Sequence, residues 1–221
     1  MHAFVAYGGT FDPVHCGHQA VAHAVADTLG CDVSLVPAAD PPHKSVTHAP
    51  GMHRLRMLEL VVAGDRRLHI DTRELGRDGP SYSIDTLQEL RASLGSRIPI
   101  IWVIGADSLE QLHRWHRWQE LFDQAHVLAV GRPGHALDAA GLASLPEHLA
   151  AGLHGRWREP RELLGCPAGS IAVLPLEPPR PESSTAIRAA IAADTPWQPS
   201  VPEAVAAYIT RHRLYAPVAT A

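Results

Sequence analysis

Cysteine is scarce in this 221-residue chain: its three copies, Cys16, Cys31 and Cys166, are too scattered for a zinc ligand set and too few for a disulfide framework. A reducing cytoplasm is the expected home. Excess charge of one sign is also lacking. With 19 basic and 23 acidic residues the net charge is -4, which leaves no broad basic surface and excludes a nucleic-acid polymer as an expected partner. No apolar run is long enough to span a bilayer or has the form of a signal peptide, so no membrane association is expected. Internal repeats are absent, and the one biased tract is the short proline cluster from Pro175 to Pro181. At 46% hydrophobic content the chain can bury a substantial core, and a single domain over residues 1–221 is expected.

What is present is an alternation of strand and helix patterns. Ala3 to Tyr7 reads as a strand, His18 to Leu29 as a helix closed by Gly30, and Val33 to Val36 as a second strand, which together make a βαβ unit. A Pro-rich loop from Pro37 to Pro50 leads to a helix over Met52 to Ala63, a short strand over Leu68 to Asp71, and a helix over Ile84 to Leu94 ended by Gly95. Ile100 to Ile104 reads as the central strand. Asp107 to Leu121 reads as helix, Val127 to Val130 as strand, Ile171 to Leu174 as strand, and Thr185 to Ala193 and Pro202 to His212 as helices, the last two within a C-terminal helical segment at about 185–215. The stretch at about 133–169 is rich in Ala, Gly and Pro and reads as an irregular insertion. The fold class that follows is α/β, a Rossmann-like doubly wound parallel sheet with helices on both faces, whose ligands collect at the C-terminal ends of the strands.

Three motifs fall at such ends. The first, Gly8-Gly9-Thr10-Phe11-Asp12-Pro13-Val14-His15-Cys16-Gly17-His18, joins a strand to a helix start. The first N–H groups of a helix have no internal partners and carry roughly half a positive charge, so phosphate oxygens suit them. Gly8 and Gly9 permit close backbone approach, Thr10 supplies a hydroxyl, and His15 and His18 can donate imidazole N–H groups to the same phosphates. A plain turn, or a histidine pair that is surface decoration or a fragment of a metal site, is the blander alternative. The second motif is Gly105-Ala106-Asp107-Ser108, where Asp107 can accept from ribose hydroxyls or simply N-cap the next helix. The third is Ser183-Ser184-Thr185-Ala186-Ile187-Arg188, whose hydroxyls can cap a helix or meet phosphate and whose Arg188 projects from the first turn. Lys44, in Pro41-Pro42-His43-Lys44, is a further candidate cation or a solvated loop lysine.

These residues resemble the bacterial nicotinate-nucleotide adenylyltransferases, within the nucleotidylyltransferase superfamily that carries a His-x-Gly-His motif. The matching stretches are Gly8 to His18, Pro41 to Lys44, Pro80 to Leu87, Ile104 to Ser108, His113 to Trp118, Gly131 to Gly134, Ser183 to Arg188 and Val201 to Tyr215. The resemblance implies adenylyl transfer from ATP to nicotinate mononucleotide, giving nicotinate adenine dinucleotide and pyrophosphate, with Mg2+ entering on ATP rather than on a dedicated ligand set. It implies His15, His18, Lys44 and Arg188 as catalytic groups, and Gly8, Gly9, Thr10, Phe11, Gly105, Asp107, Ser184 and Thr185 around ATP. Ser83, Trp115, His116 and Arg132 would meet the nicotinate half, with Trp115 as the stacking surface and Trp118 as core.

The chain departs from the family pattern in three places: Glu182 stands where an apolar residue is usual, Gly131-Arg132 replaces a pair of basic residues, and Ser83 replaces threonine. Other readings stay open. The acceptor can be the amide mononucleotide or another phosphate, or the chain can be a nucleotide-binding regulator without turnover. Its 15 histidines are dispersed rather than clustered, against a metal-binding role. A homo-oligomer is compatible with all of these.

Overall fold

The run Phe4 to Gly9 is apolar on both of its faces, which suits a strand covered on both sides. In the computed structural model, which describes residues 3–39, 47–77, 79, 81–131, 142 and 144–217, it forms β1 (Phe4–Gly9) of a six-stranded sheet. The others are β2 (Val33–Pro37), β3 (Leu68–Ile70), β4 (Ile100–Gly105), β5 (His126–Val130) and β6 (Ile171–Leu174). All pairings are parallel, and the order is β3-β2-β1-β4-β5-β6. The winding direction therefore reverses between β1 and β4, and the crevice outside the C-terminal ends of these two strands is where a doubly wound sheet binds ligands.

Side-chain alternation along the strands divides the core in two. Val5, Tyr7, Ile101 and Val103 face the first core, against α1 (Cys16–Leu29), α2 (Gly51–Val62), α7 (Ser184–Ala192) and α8 (Glu203–His212). Ala6, Ile100, Trp102 and Ile104 face the second, against α3 (Ser83–Leu94), α4 (Ala106–Glu110), α5 (Leu121–Gln124) and α6 (Glu147–Leu153). Helices cover both faces, as the alternating sequence pattern requires.

Two stretches differ from their expected form. Asp107 to Leu121 is not one helix: α4 stops at Glu110, short 3-10 turns follow at Leu112–Arg114 and Trp118–Glu120, and α5 begins at Leu121. The physical reason lies in the backbone. Trp115 is extended (φ -74°, ψ 144°) and Arg117 is left-handed (φ 53°, ψ 40°), and neither conformation continues a right-handed helix. Within residues 133–169, α6 and a 3-10 turn at Pro160–Gly165 supply regular structure, with Leu149, Leu153 and Leu163 buried. The weak periodicity there reflects short elements, each contributing only one or two core residues.

Candidate functional site

The helix α1 begins two residues earlier than the apolar pattern suggests, because a histidine serves as its N-cap. His15 has the extended backbone of a cap (φ -141°, ψ 171°), and its Nδ1 accepts the main-chain N–H of His18 at 3.3 Å. In return His18 Nδ1 accepts the main-chain N–H of His15 at 3.2 Å. This is a capping box built from two imidazoles in place of the usual hydroxyl and carboxylate. The rings stack at 3.6 Å between centroids, 29° apart. Because each Nδ1 is an acceptor, the hydrogen-bond network assigns the proton of each neutral ring to Nε2. Both imidazoles are thereby set as Nε2–H donors. His15 is buried and His18 half-buried, and both line the same cavity.

That cavity, about 510 Å³, is the larger of two compartments at the β1/β4 switch point. Besides the histidines it takes in Phe11, Gly105, Ser184, Thr185 and Arg188. Phe11, in the left-handed region (φ 49°), sets its buried ring edge-on to His18 at 5.0 Å and so fixes that imidazole from behind. The same ring explains Gly9, where a Cβ would lie 2.9 Å from Phe11. The Ser184 hydroxyl donates to the Pro13 carbonyl at 3.0 Å, and Ser183 N-caps α7 by accepting the Ala186 N–H. The Arg188 guanidinium donates to the Asp12 carbonyl at 2.6 Å and to the Thr185 hydroxyl at 3.3 Å. Behind it, Glu182 pairs with Arg180 at 2.6 Å, which accommodates a carboxylate where the family pattern has an apolar residue. Cys16 is unsuited to nucleophilic work: burial, reinforced by Glu182, pushes its thiol above the ordinary range.

The second compartment, about 250 Å³, is walled by Ser83, Trp115, His116 and Tyr82. Tyr82 and His116 rings lie 4.4 Å apart, and Trp115 reaches this wall because the backbone breaks from helix there. Ser83 opens α3 and lines the cavity, which places the entrance of that helix beside it. Behind them Glu74, almost wholly buried, accepts the hydroxyls of Ser81 and Thr86. The two compartments share Gly8, Gly9, Thr10, Asp107 and Ser108. Asp107 lies in the first turn of α4, whose N-cap is Gly105, so the capping alternative for Asp107 does not hold.

Of the residues singled out from sequence, Lys44 and Arg132 lie outside the described residues. All the other residues expected to be catalytic or to meet ATP or the nicotinate half line one or both compartments. Trp118 is buried in the second core. Sequence reasoning passed over two organising residues. Asp12 was within the motif but had no role, and its carboxylate takes the main-chain N–H groups of His48 (2.7 Å) and Ala49 (3.1 Å). Arg54, 1% exposed, donates to the carbonyls of Thr10 (2.8 Å), Ala38 (2.6 Å), Ala39 (3.0 Å) and Ala49 (3.3 Å), tying the rim of the site together. The available signal was its position: Arg54, Met57, Leu58 and Val61 share the buried stripe of α2, where an arginine is out of place unless it serves buried acceptors.

Among the described residues no group of three or more His, Cys, Asp or Glu is placed to hold a metal ion, and no helix is long and apolar enough to cross a membrane.

A family model described as cytidylyltransferase-like matches residues 6–190. The "Probable nicotinate-nucleotide adenylyltransferase" of Stenotrophomonas maltophilia is 46% identical to this chain, over 97% of each. A protein of the same name from Xylella fastidiosa is 41% identical over 97% of this chain and 96% of its own. Among solved structures, Plasmodium falciparum nicotinic acid mononucleotide adenylyltransferase complexed with NaAD superposes with a TM-score of 0.72. It does so at 15% identity, over 97% of this chain and 98% of that one, which is a likeness of fold.

Proposed function

The chain belongs to the cytidylyltransferase-like family, among the nicotinate-nucleotide adenylyltransferases, and on that premise we propose that it transfers the adenylyl group of ATP to nicotinate mononucleotide. A phosphate oxygen of the mononucleotide attacks the α-phosphorus of ATP, the bond from that phosphorus to the bridging oxygen breaks, and pyrophosphate leaves as nicotinate adenine dinucleotide forms. The observation that supports this most is the shared wall: a polar compartment at a helix mouth and a flat aromatic one meet along Gly8, Gly9 and Thr10.

Two anions must approach while charge builds on the leaving group. Two unit charges at 4 Å repel by about 4 kcal/mol at an effective dielectric near 20, roughly three powers of ten in rate. Compensation is therefore the main catalytic task, with alignment. The Nε2–H groups of His15 and His18 meet the β and γ phosphates, and Arg188 and Lys44 neutralise the polyphosphate. The Ser184 hydroxyl holds the turn at Pro13 and Thr185 flanks Arg188, so both shape the phosphate site as well as lining it. Asp107 accepts from ribose hydroxyls. Trp115 stacks on the pyridine ring, the α3 entrance at Ser83 receives its carboxylate, and His116 and Arg132 flank that half.

Mg2+ fits this site as a companion of ATP. The polar compartment offers donors rather than a carboxylate cage, so the ion would keep its waters and take phosphate oxygens, lending charge neutralisation there. A cytoplasmic location belongs to the same reading, supported by the free thiols of Cys16, Cys31 and Cys166.

Pyrophosphate release from ATP, measured with nicotinate mononucleotide and with its amide analogue at equal concentration, tests the assignment. A clear preference for the acid is expected. Release only with the amide, or with neither, would overturn it.

A further inference from the structure

The Asp12 carboxylate has a third donor besides the His48 and Ala49 amides: the Tyr215 hydroxyl, 203 residues along the chain, donates to its Oδ1 at 2.8 Å. Asp12 itself is 3% exposed. Two left-handed residues after α8, Arg213 (φ 50°) and Tyr215 (φ 65°), turn the chain back, and the flanking Leu214 packs on the first core. The backbone of Asp12 accepts Arg188 on its other side. Three segments far apart in sequence therefore converge on Asp12. Asp12, His48 and Arg188 all face the larger compartment.

We propose that Tyr215 is a positioning residue for the triphosphate: by holding Asp12, it sets the main chain at His48 and the guanidinium of Arg188 against the anion. The inference rests on the reading above, that the larger compartment receives the phosphates of ATP. A hydrogen bond to a buried carboxylate is among the stronger ones in a protein, because the anion has little other solvation to fall back on. The phenol keeps its proton throughout the working range, since burial and the Asp12 charge push it well above its ordinary value. Without the hydroxyl, Asp12 keeps one amide donor on each carboxylate oxygen but loses the contact that ties it to the C-terminal segment, and its carbonyl and Arg188 shift with it. Tyr215 is not among the residues that wall the aromatic compartment, so the effect should fall on one substrate.

The test is Tyr215→Phe in the full chain, which keeps the ring and removes only the donor. The KM for ATP should rise about five- to tenfold, less than the full worth of a hydrogen bond to a charged group because the effect reaches the anion only through Asp12, with the KM for the mononucleotide within about twofold. Asp12→Asn should have the larger effect, and adding Tyr215→Phe to it should cost less than it does alone, because the two act through one contact. Equilibrium dialysis of ATP gives a second readout that needs no turnover: its dissociation constant should rise by the same factor. Unchanged ATP affinity in Tyr215→Phe overturns the proposal. So does an equal loss for both substrates together with a lower Tm, the pattern of general loosening. If the wild type binds ATP but releases no pyrophosphate with either mononucleotide, the assigned reaction fails, and the dialysis series still decides the role of Tyr215.

Discussion

His15 and His18 cap each other, each Nδ1 accepting the other's main-chain N–H, so one pair of rings both starts α1 and presents two Nε2–H donors to the larger compartment. Helix stability and anion binding are coupled in the same two rings, Nδ1 serving the cap and Nε2 the anion. His15→Ala should lower stability by about 1 kcal/mol through the lost cap and should lower kcat by two or more powers of ten, in the range expected when a donor to developing charge is removed. His15→Asn restores a capping oxygen without restoring the imidazole donor. Urea denaturation should show stability regained in Asn, while pyrophosphate release stays low. Near-normal turnover in either variant would refute the role.

Arg54 is the tie for the rim of the site. Arg54 is buried and its four carbonyl partners lie on buried or half-buried residues, so Arg54→Met fills the space but withdraws the donor that each of them takes from the guanidinium. At about 1–3 kcal/mol for each unsatisfied buried group, partly relieved by water, a loss of 3 kcal/mol or more is expected. Urea unfolding of Arg54→Met against wild type measures it, and a loss below 1 kcal/mol would contradict the assignment.

Gly8 is required by Trp102. A Cβ at residue 8 would lie 2.3 Å from the six-membered ring of Trp102, so Gly8→Ala forces that side chain to move. A destabilisation of about 1–3 kcal/mol follows from overpacking of this kind. Combining it with Trp102→Phe should relieve most of the clash. Trp102 Nε1 is buried without a hydrogen-bond partner, so the phenylalanine removes no such bond. A double-mutant cycle by denaturation should show coupling of at least about 1 kcal/mol, and additivity would exclude the contact.

The β1-turn-α1 unit, the parallel sheet covered on both faces that alternating elements imply, and the three strand-end motifs were legible because each rests on local signals: a period, a glycine, a hydroxyl before a helix. Trp115 was found by resemblance, but its presentation was not, since the run from Asp107 to Leu121 has helical periodicity and only the left-handed Arg117 and extended Trp115 break it. Asp12 and Tyr215 act through partners 36 to 203 residues away, and Arg54 through carbonyls 5 to 44 residues away. Long-range polar contacts leave no periodic trace. Arg54 alone left a local sign, as a cation on an apolar stripe.

His126 provides a pH dependence of stability. It is fully buried, with Nδ1 accepting the Ser170 N–H at 3.1 Å and Nε2 facing the Cys166 carbonyl at 2.8 Å. Burial holds its pKa below the ordinary value, so the native state keeps it neutral while the unfolded chain takes up a proton below about pH 6.5. The stabilisation is complete above that pH and is lost as pH falls toward the lowered native value. Urea midpoints should drop between pH 7.5 and pH 5.5, and His126→Gln, which cannot titrate, should show a smaller drop. Equal slopes for the two proteins would assign the dependence elsewhere.

Five residues, Gly8, Gly9, Thr10, Asp107 and Ser108, border both compartments. A single tethered molecule with an anionic arm for one chamber and a flat aromatic arm for the other would cross that border without a gap. Once one arm is seated, the other arrives at high local concentration, so avidity can exceed either separate affinity by roughly 10² to 10⁴. Selectivity of such a compound would come from the aromatic chamber, because the donors of the other one, the hydroxyls, the imidazoles and the Arg188 guanidinium, can be satisfied by any phosphate-rich molecule.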